Sequence, residues 1–151
     1  MVFENIFSGG RIEIVLDKAS YALGETVNAD VVLRLDKARS ARGLNARICA
    51  YELVSQTYRE HGAMGHSHTQ SRTERRELFA NEARLDGEKE YPAGESRYKV
   101  SFAIPNDKGL LSQPGFLGFI GGRRITWEIS AKLDIAMAID VNGRAALNVH
   151  E

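Results

Sequence analysis

The 151-residue sequence contains one cysteine, Cys49, so no disulfide can form within the chain and a small disulfide-stapled secreted scaffold is excluded. An excess of charge of one sign is also lacking, since twenty Lys and Arg cancel twenty Asp and Glu to a formal net charge of zero. That balance offers no overall attraction to nucleic acid or to an anionic membrane and leaves only local patches. No apolar run approaches the roughly 18 residues that a spanning helix needs. The amino terminus, MVFENIFSGGR, has too short an apolar stretch and no basic lead for a signal peptide. These absences predict a cytoplasmic protein in a reducing setting, with any membrane contact indirect or peripheral.

Catalytic signatures are missing too. There is no G-x-S-x-G elbow, no H-E-x-x-H and no P-loop, and Gly118 to Gly122 lacks the lysine and following helix of a phosphate cradle. Cys49, between Ile48 and Ala50, reads as a buried thiol rather than a nucleophile. The expectation is a protein that is not an enzyme.

What the chain does have is ordinary globular composition, 43% apolar and 26% charged, at a length suited to one core, so residues 1–151 are read as a single domain. The most informative stretch is YPAGESRYKVSFAIP at Tyr91 to Pro105. Its alternation puts Tyr98, Val100, Phe102 and Ile104 on one face and Arg97, Lys99 and Ser101 on the other, the pattern of a half-buried strand. Arg11 to Leu16 alternates through Ile12, Ile14 and Leu16. Thr26 to Leu35 alternates through Val27, Ala29, Val31, Leu33 and Leu35, and Ile125 to Ile135 through Trp127, Ile129, Ala131 and Leu133.

Between these strands lie a turn around Gly24, a polar connector at Asp36 to Arg42, and a longer strand of irregular parity from Leu44 to Tyr58. Glu60 to Arg76 is Gly-, His-, Ser-, Thr- and Arg-rich and nearly devoid of apolar residues, so it reads as a loop or an extended hairpin tip. Glu77 to Leu85 fits neither period and is assigned as strand from its neighbours. Asn106 to Gly122 is a second Gly-rich connector. Near the carboxyl terminus, Asn142-Gly143 is the pair best able to hold positive φ in a type I′ turn, which predicts a closing hairpin there. Seven or so strands with no sustained helical period predict an all-β fold, an immunoglobulin-like antiparallel β-sandwich.

Three segments together resemble the amino-terminal domain of the arrestin-like superfamily. They are YALGETVNADVVLRL at Tyr21 to Leu35, KEYPAGESRYKVSFAIP ending at Pro105, and PGFLGFIGGRRITWEISAKLD at Pro114 to Asp134. The third is similar to the family's stretch but departs from it at Gly115 and Leu117, where polar residues are common. The resemblance implies a non-enzymatic adaptor or scaffold that binds partner proteins through sheet edges and loops. Relatives of this kind, including retromer subunits and bacterial sporulation-control proteins, normally pair two sandwiches in one chain. One sandwich here implies a lone module or a homo-oligomer, and the arrestin receptor cleft is not carried over.

Two segments carry candidate sites. Leu110 to Ile120, reading LLSQPGFLGFI, places apolar side chains in a connector, where they either cover one open end of the sandwich or form an exposed patch for a partner. The partner-binding candidates are Leu111, Phe116, Leu117, Phe119 and Ile120, with Arg123 and Arg124 beside them for an acidic or phosphate group. HGAMGHSH supplies His61, His66 and His68, which make a Zn²⁺ or Ni²⁺ site the rival reading, set against incidental histidines in a polar loop. No other cofactor is implied. The mixed run Arg72, Glu74, Arg75, Arg76 and Glu77 reads as a solvated strand face without the interleaved aromatics of a single-strand binder, so no nucleic-acid partner is expected.

Overall fold

The computed structural model describes residues 9–61, 67–113 and 123–151, those at 55–61 and 67–72 by their backbone. Strands dominate. In chain order they are β1 (Gly10–Leu16), β2 (Tyr21–Ala22), β3 (Thr26–Leu35), β4 (Arg39–Ala41), β5 (Gly43–His61) and β6 (Ser67–Asp86). There follow β7 (Lys89–Tyr91), β8 (Gly94–Ala103), β9 (Ile125–Asp134), β10 (Val141–Leu147) and β11 (Val149–His150). A 3-10 turn at Lys108–Leu110 is the helical element among the described residues. No helix there is long and apolar enough to cross a membrane, which says nothing of spanning by strands.

A three-stranded antiparallel sheet, β1-β3-β8, faces a four-stranded one, β10-β9-β5-β6. The period-two pattern explains both, because it gives each strand one dry face. From the first sheet Val27, Ala29, Val31, Leu33 and Leu35 of β3 turn inward with Val100 and Phe102 of β8, and Ile104 follows. From the second come Leu44, Ala46, Ile48 and Ala50 of β5 with Trp127, Ile129, Ala131 and Leu133 of β9. Ile48, Ile129 and Leu133 have no exposed surface. Burying such a side chain contributes about 1.5–3 kcal/mol. Tyr98, the outermost member of the β8 inner face, is half-buried and donates its hydroxyl to Asp86, 3.0 Å away.

Two small sheets complete the ends. β4 pairs antiparallel with β7, so the segment read as a polar connector, Asp36 to Arg42, contains a strand. β11 pairs parallel with β2, and the Tyr21 and Leu23 amides donate to the Asn148 and His150 carbonyls.

The predicted type I′ turn at Asn142-Gly143 is corrected by the structure. Both residues lie inside β10, opposite Lys132 and Ala131 of β9, and the β9–β10 connection is made by Ile135 to Asp140. Gly143 serves a different need: a Cβ there would stand 2.4 Å from the Ile12 carbonyl oxygen. The backbones of β1 and β10 meet at that point and close one side of the sandwich.

Of Glu60 to Arg76, read as a loop or an extended hairpin tip, the described residues are paired strand, as in a hairpin. The β5–β6 ladder continues to the His61–Ser67 pair. Beyond Glu52, the last β5 residue paired with β9, the ladder runs as a two-stranded arm. A register shift at Ala50/Tyr51 leaves Leu78 as the extra residue of a β-bulge near the arm's root.

Candidate functional site

The root of the arm and Arg123, at the end of the 111–124 connector, meet where the core ends. Along β5 the inward positions run Leu44, Ala46, Ile48, Ala50 and then Glu52, so the same pleat that buries four apolar side chains brings a carboxylate to the rim of the core. Glu52 is only 9% exposed. A carboxylate so placed needs ionic partners, and two arginines supply them.

Arg76 of β6, opposite Glu52 in the register, reaches Oε2 at 2.7 Å. Arg123, at the end of the connector, donates through Nε to Oε1 at 3.3 Å and through Nη2 to Oε2 at 3.2 Å, a two-pronged contact. These guanidiniums, Arg123 foremost and then Arg76, hold the Glu52 carboxyl below its ordinary range against the opposing effect of burial. Glu52 in turn pushes the Arg123 guanidinium up.

The connector is pinned at its base by further bonds. Gln113 and Arg123 exchange backbone hydrogen bonds of 2.8 and 2.9 Å. The Ser112 hydroxyl accepts from the Ile125 amide at 2.9 Å and donates to the Ile125 carbonyl at 3.2 Å. The Trp127 indole donates to the Leu110 carbonyl at 3.0 Å, and Leu110 is buried. Leu110 therefore closes the sandwich end.

On the opposite face of the sheet, Arg75 lies 3.4 Å above the centre of the Tyr51 ring and donates to Glu128 at 2.6 Å. Its other neighbour is the buried Cys49 thiol, 3.8 Å away. Cys49 is thus buried as expected, although beneath Arg75 and Glu128 rather than between the sheets. The mixed-charge run is not one solvated face: Arg75 and Arg76 point to opposite sides of β6, and Arg47 pairs with Glu77.

The sequence candidates are distributed as follows. Arg123 forms the contact with Glu52, Leu111 is half-buried and Arg124 is exposed. Phe116, Leu117, Phe119 and Ile120 lie outside the described residues. So does His66, while His61 and His68 are described by backbone alone, paired in register with Ser67 and Glu60. Among the described residues no three His, Cys, Asp or Glu side chains group in a way that would hold a metal ion. Glu52 was missed by sequence reasoning. The signal was present, since extending the inward parity of Ile48 and Ala50 by two residues reaches it.

No family model matches this chain, and no curated protein matches it by sequence. Among solved structures it is similar to Spo0M, a sporulation control protein from Bacillus subtilis. The identity is 18%, the TM-score is 0.59, and the match covers 95% of this chain and 50% of that one. This chain therefore spans half the length of Spo0M, and the likeness shows a shared fold, the antiparallel arrestin-like β-sandwich. A second structure, the alkylpurine DNA glycosylase AlkC of Pseudomonas fluorescens bound to abasic-site DNA, matches at 12% identity over 95% of this chain and 31% of that one. Its TM-score is 0.45.

Proposed function

We propose that this chain is a non-enzymatic, cytoplasmic adaptor that binds protein partners, further copies of itself included, through the β5–β6 arm and the adjoining 111–124 connector. The observation that carries the reading is the arm itself. From Leu53 to His61, β5 pairs with β6 and has no β9 partner, so a ribbon of about 30 Å at 3.3 Å per residue leaves the body of the sandwich. Among the described residues this ribbon places no side chain in the core, and its backbone edges suit strand addition by a partner.

The Glu52 contact supports the same reading, because it fixes the arm's root to the base of a connector rich in apolar side chains. Leu111, Phe116, Leu117, Phe119 and Ile120 are the side chains of that connector proposed to meet the partner, with Arg123 and Arg124 at its end. Spo0M is a sporulation control protein, and a control role agrees with a binding role for this sandwich.

Light scattering across a concentration series tests the self-association. A dimer or larger species is expected, reduced to a monomer by Phe116→Asp or Phe119→Asp with the melting transition intact. A monomer at every concentration, combined with no partner cross-linked at the arm or connector in native lysate, would sink the proposal. Unfolding of both Asp variants would reassign the connector to the core.

A further inference from the structure

β1 and β10 close one side of the sandwich, and the other side is built differently. Its edges are β8 in the three-stranded sheet and β6 in the four-stranded one, and among the described residues neither has a further strand beside it. The register of β6 with β5 sets Phe79 opposite Ala50, Asn81 opposite Ile48 and Ala83 opposite Ala46, so these three share the inward side of the pleat with core positions. Burial does not follow. Phe79, Ala83 and Leu85 are half-buried and Asn81 is exposed, although Ala50, Ile48 and Ala46 are buried. The three-stranded sheet is one strand short here. β8 touches β6, with Tyr98 reaching Asp86, but β6 extends farther out and part of its inward side is left uncovered.

The open edge of β8 carries the groups that a further strand would use. The Ile104 amide donates to the Glu25 carbonyl, on the β3 side. Period two then turns the backbone groups of Tyr98, Val100 and Phe102 toward β3, and those of Arg97, Lys99, Ser101 and Ala103 toward the open edge. That stretch presents about 20 Å of edge at about 3.3 Å per residue. On the outer face, Arg97 is engaged by Glu95 at 3.2 Å and Asp30 at 3.9 Å, and Glu95 by Arg34 at 3.0 Å. Lys99 is exposed and forms neither an ion pair nor a side-chain hydrogen bond among the described residues, and Asp30, its register partner, is turned to Arg97.

We propose that this lane takes one extended segment of a partner protein as a fourth strand beside β8, its apolar side chains alternating with Asp or Glu. The backbone groups along the edge select a strand. Its apolar side chains lie on Phe79, Ala83 and Leu85, and a carboxylate on the outer face meets the unpaired Lys99. A second copy does not fit, because joining β8 to β8 across a two-fold axis brings the protruding β6 edges against each other before the ladder can form. A bilayer offers no backbone groups to the edge. The lane runs along β6 from Phe79 to Leu85, short of the arm, so this inference goes beyond the proposed function and fails separately from it.

The test is an amide chemical-shift titration of the full chain with a short capped peptide alternating Val and Glu, using a Val-Lys peptide as control. Saturable shifts at residues 97–103 and 79–85 are expected with the Val-Glu peptide, together with slowed hydrogen exchange at Arg97, Lys99, Ser101 and Ala103. Ser101→Pro removes an amide that faces the open edge and spares the β3 ladder, and it should weaken binding about tenfold. Lys99→Glu should weaken it about fivefold and reverse the preference toward the Val-Lys peptide. If Ser101→Pro fails to fold, Lys99→Glu and the exchange pattern decide. Equal affinity for both peptides, no saturable shift along β8, or undiminished affinity in both variants overturns the proposal. Shifts confined to the arm support the proposed function and overturn this inference, and shifts at β8 raised by protein concentration alone overturn it in favour of a second copy.

Discussion

Gly143 shows how one residue's meaning depends on what crosses it. Beside Asn142 it looks like a turn glycine, yet its backbone is in strand and the missing side chain admits the Ile12 carbonyl at the β1–β10 closure. Gly143→Ala should cost about 2–3 kcal/mol, because the obstructing atoms are backbone and cannot rotate away. Urea denaturation reads this directly. The turn strain lies at Met137 instead, and Met137→Asn should raise stability by up to about 1 kcal/mol on the same assay, since Asn tolerates the left-handed region. Glu52 was legible by parity, whereas its arginines were not. Arg76 reaches it through cross-strand register and Arg123 through a connector 71 residues away. With its folded pKa held below the ordinary 4.5, Glu52 stabilises the fold above that value and loses the contribution as pH falls through the folded pKa. Glu52→Gln should accordingly be less stable than the parent at neutral pH, with the gap narrowing below about pH 4.5 in melts at stepped pH.

Among the elements, the strands were the most legible, because alternation is local. Thr26 to Leu35 was read with the same limits that β3 has, and Tyr98 to Ile104 with the inner face of β8. β4 escaped notice: Arg39, Ser40 and Ala41 have no apolar alternation, and they are strand because β7 lies alongside. The arm was legible as a segment unable to join a core, with loop and extended hairpin left as alternatives, since its pairing follows from β5 and β6 being zipped together at their roots. Among the described residues of β5 the core ends at Glu52, and the arm is expected to be dispensable for folding. Replacing residues 57–71 by Asn-Gly, between the register partners Gln56 and Arg72, should leave cooperative unfolding in place and stability within about 0.5 kcal/mol. Loss of the melting transition would mean that the arm belongs to the folding unit.

For the whole molecule, charge sets the pH range of stability although the net charge is zero. Among the described residues six carboxyls are held below their ordinary values by named partners: Asp17 by Tyr21, Glu25 by Lys18, Glu52 by Arg123, Asp86 by Lys89, Glu95 by Arg97 and Glu151 by Lys108. Their contributions are present above pH 4.5 and lost together as acid titrates them. At the other limit, burial and then the Asp86 hydrogen bond push the Tyr98 phenol up to about 12. Its contribution is complete below the ordinary value of 10.0 and is lost as pH rises toward 12. Thermal melts should show a plateau between these limits and a decline at each, and tyrosinate absorbance should contain a component with a midpoint near 12 that Tyr98→Phe removes. A midpoint near 10 for every tyrosine would contradict the Tyr98 environment. The sequence by itself determined that the chain is strand, which faces are dry and that an antiparallel sandwich results, since period two and turn chemistry act between near neighbours. The tertiary structure alone decided that Gly143 admits a crossing strand, that Glu52 gathers two distant arginines, and that β8 is left an open edge beside β6. Those outcomes depend on which strands lie side by side, and only the packing of the whole chain fixes that.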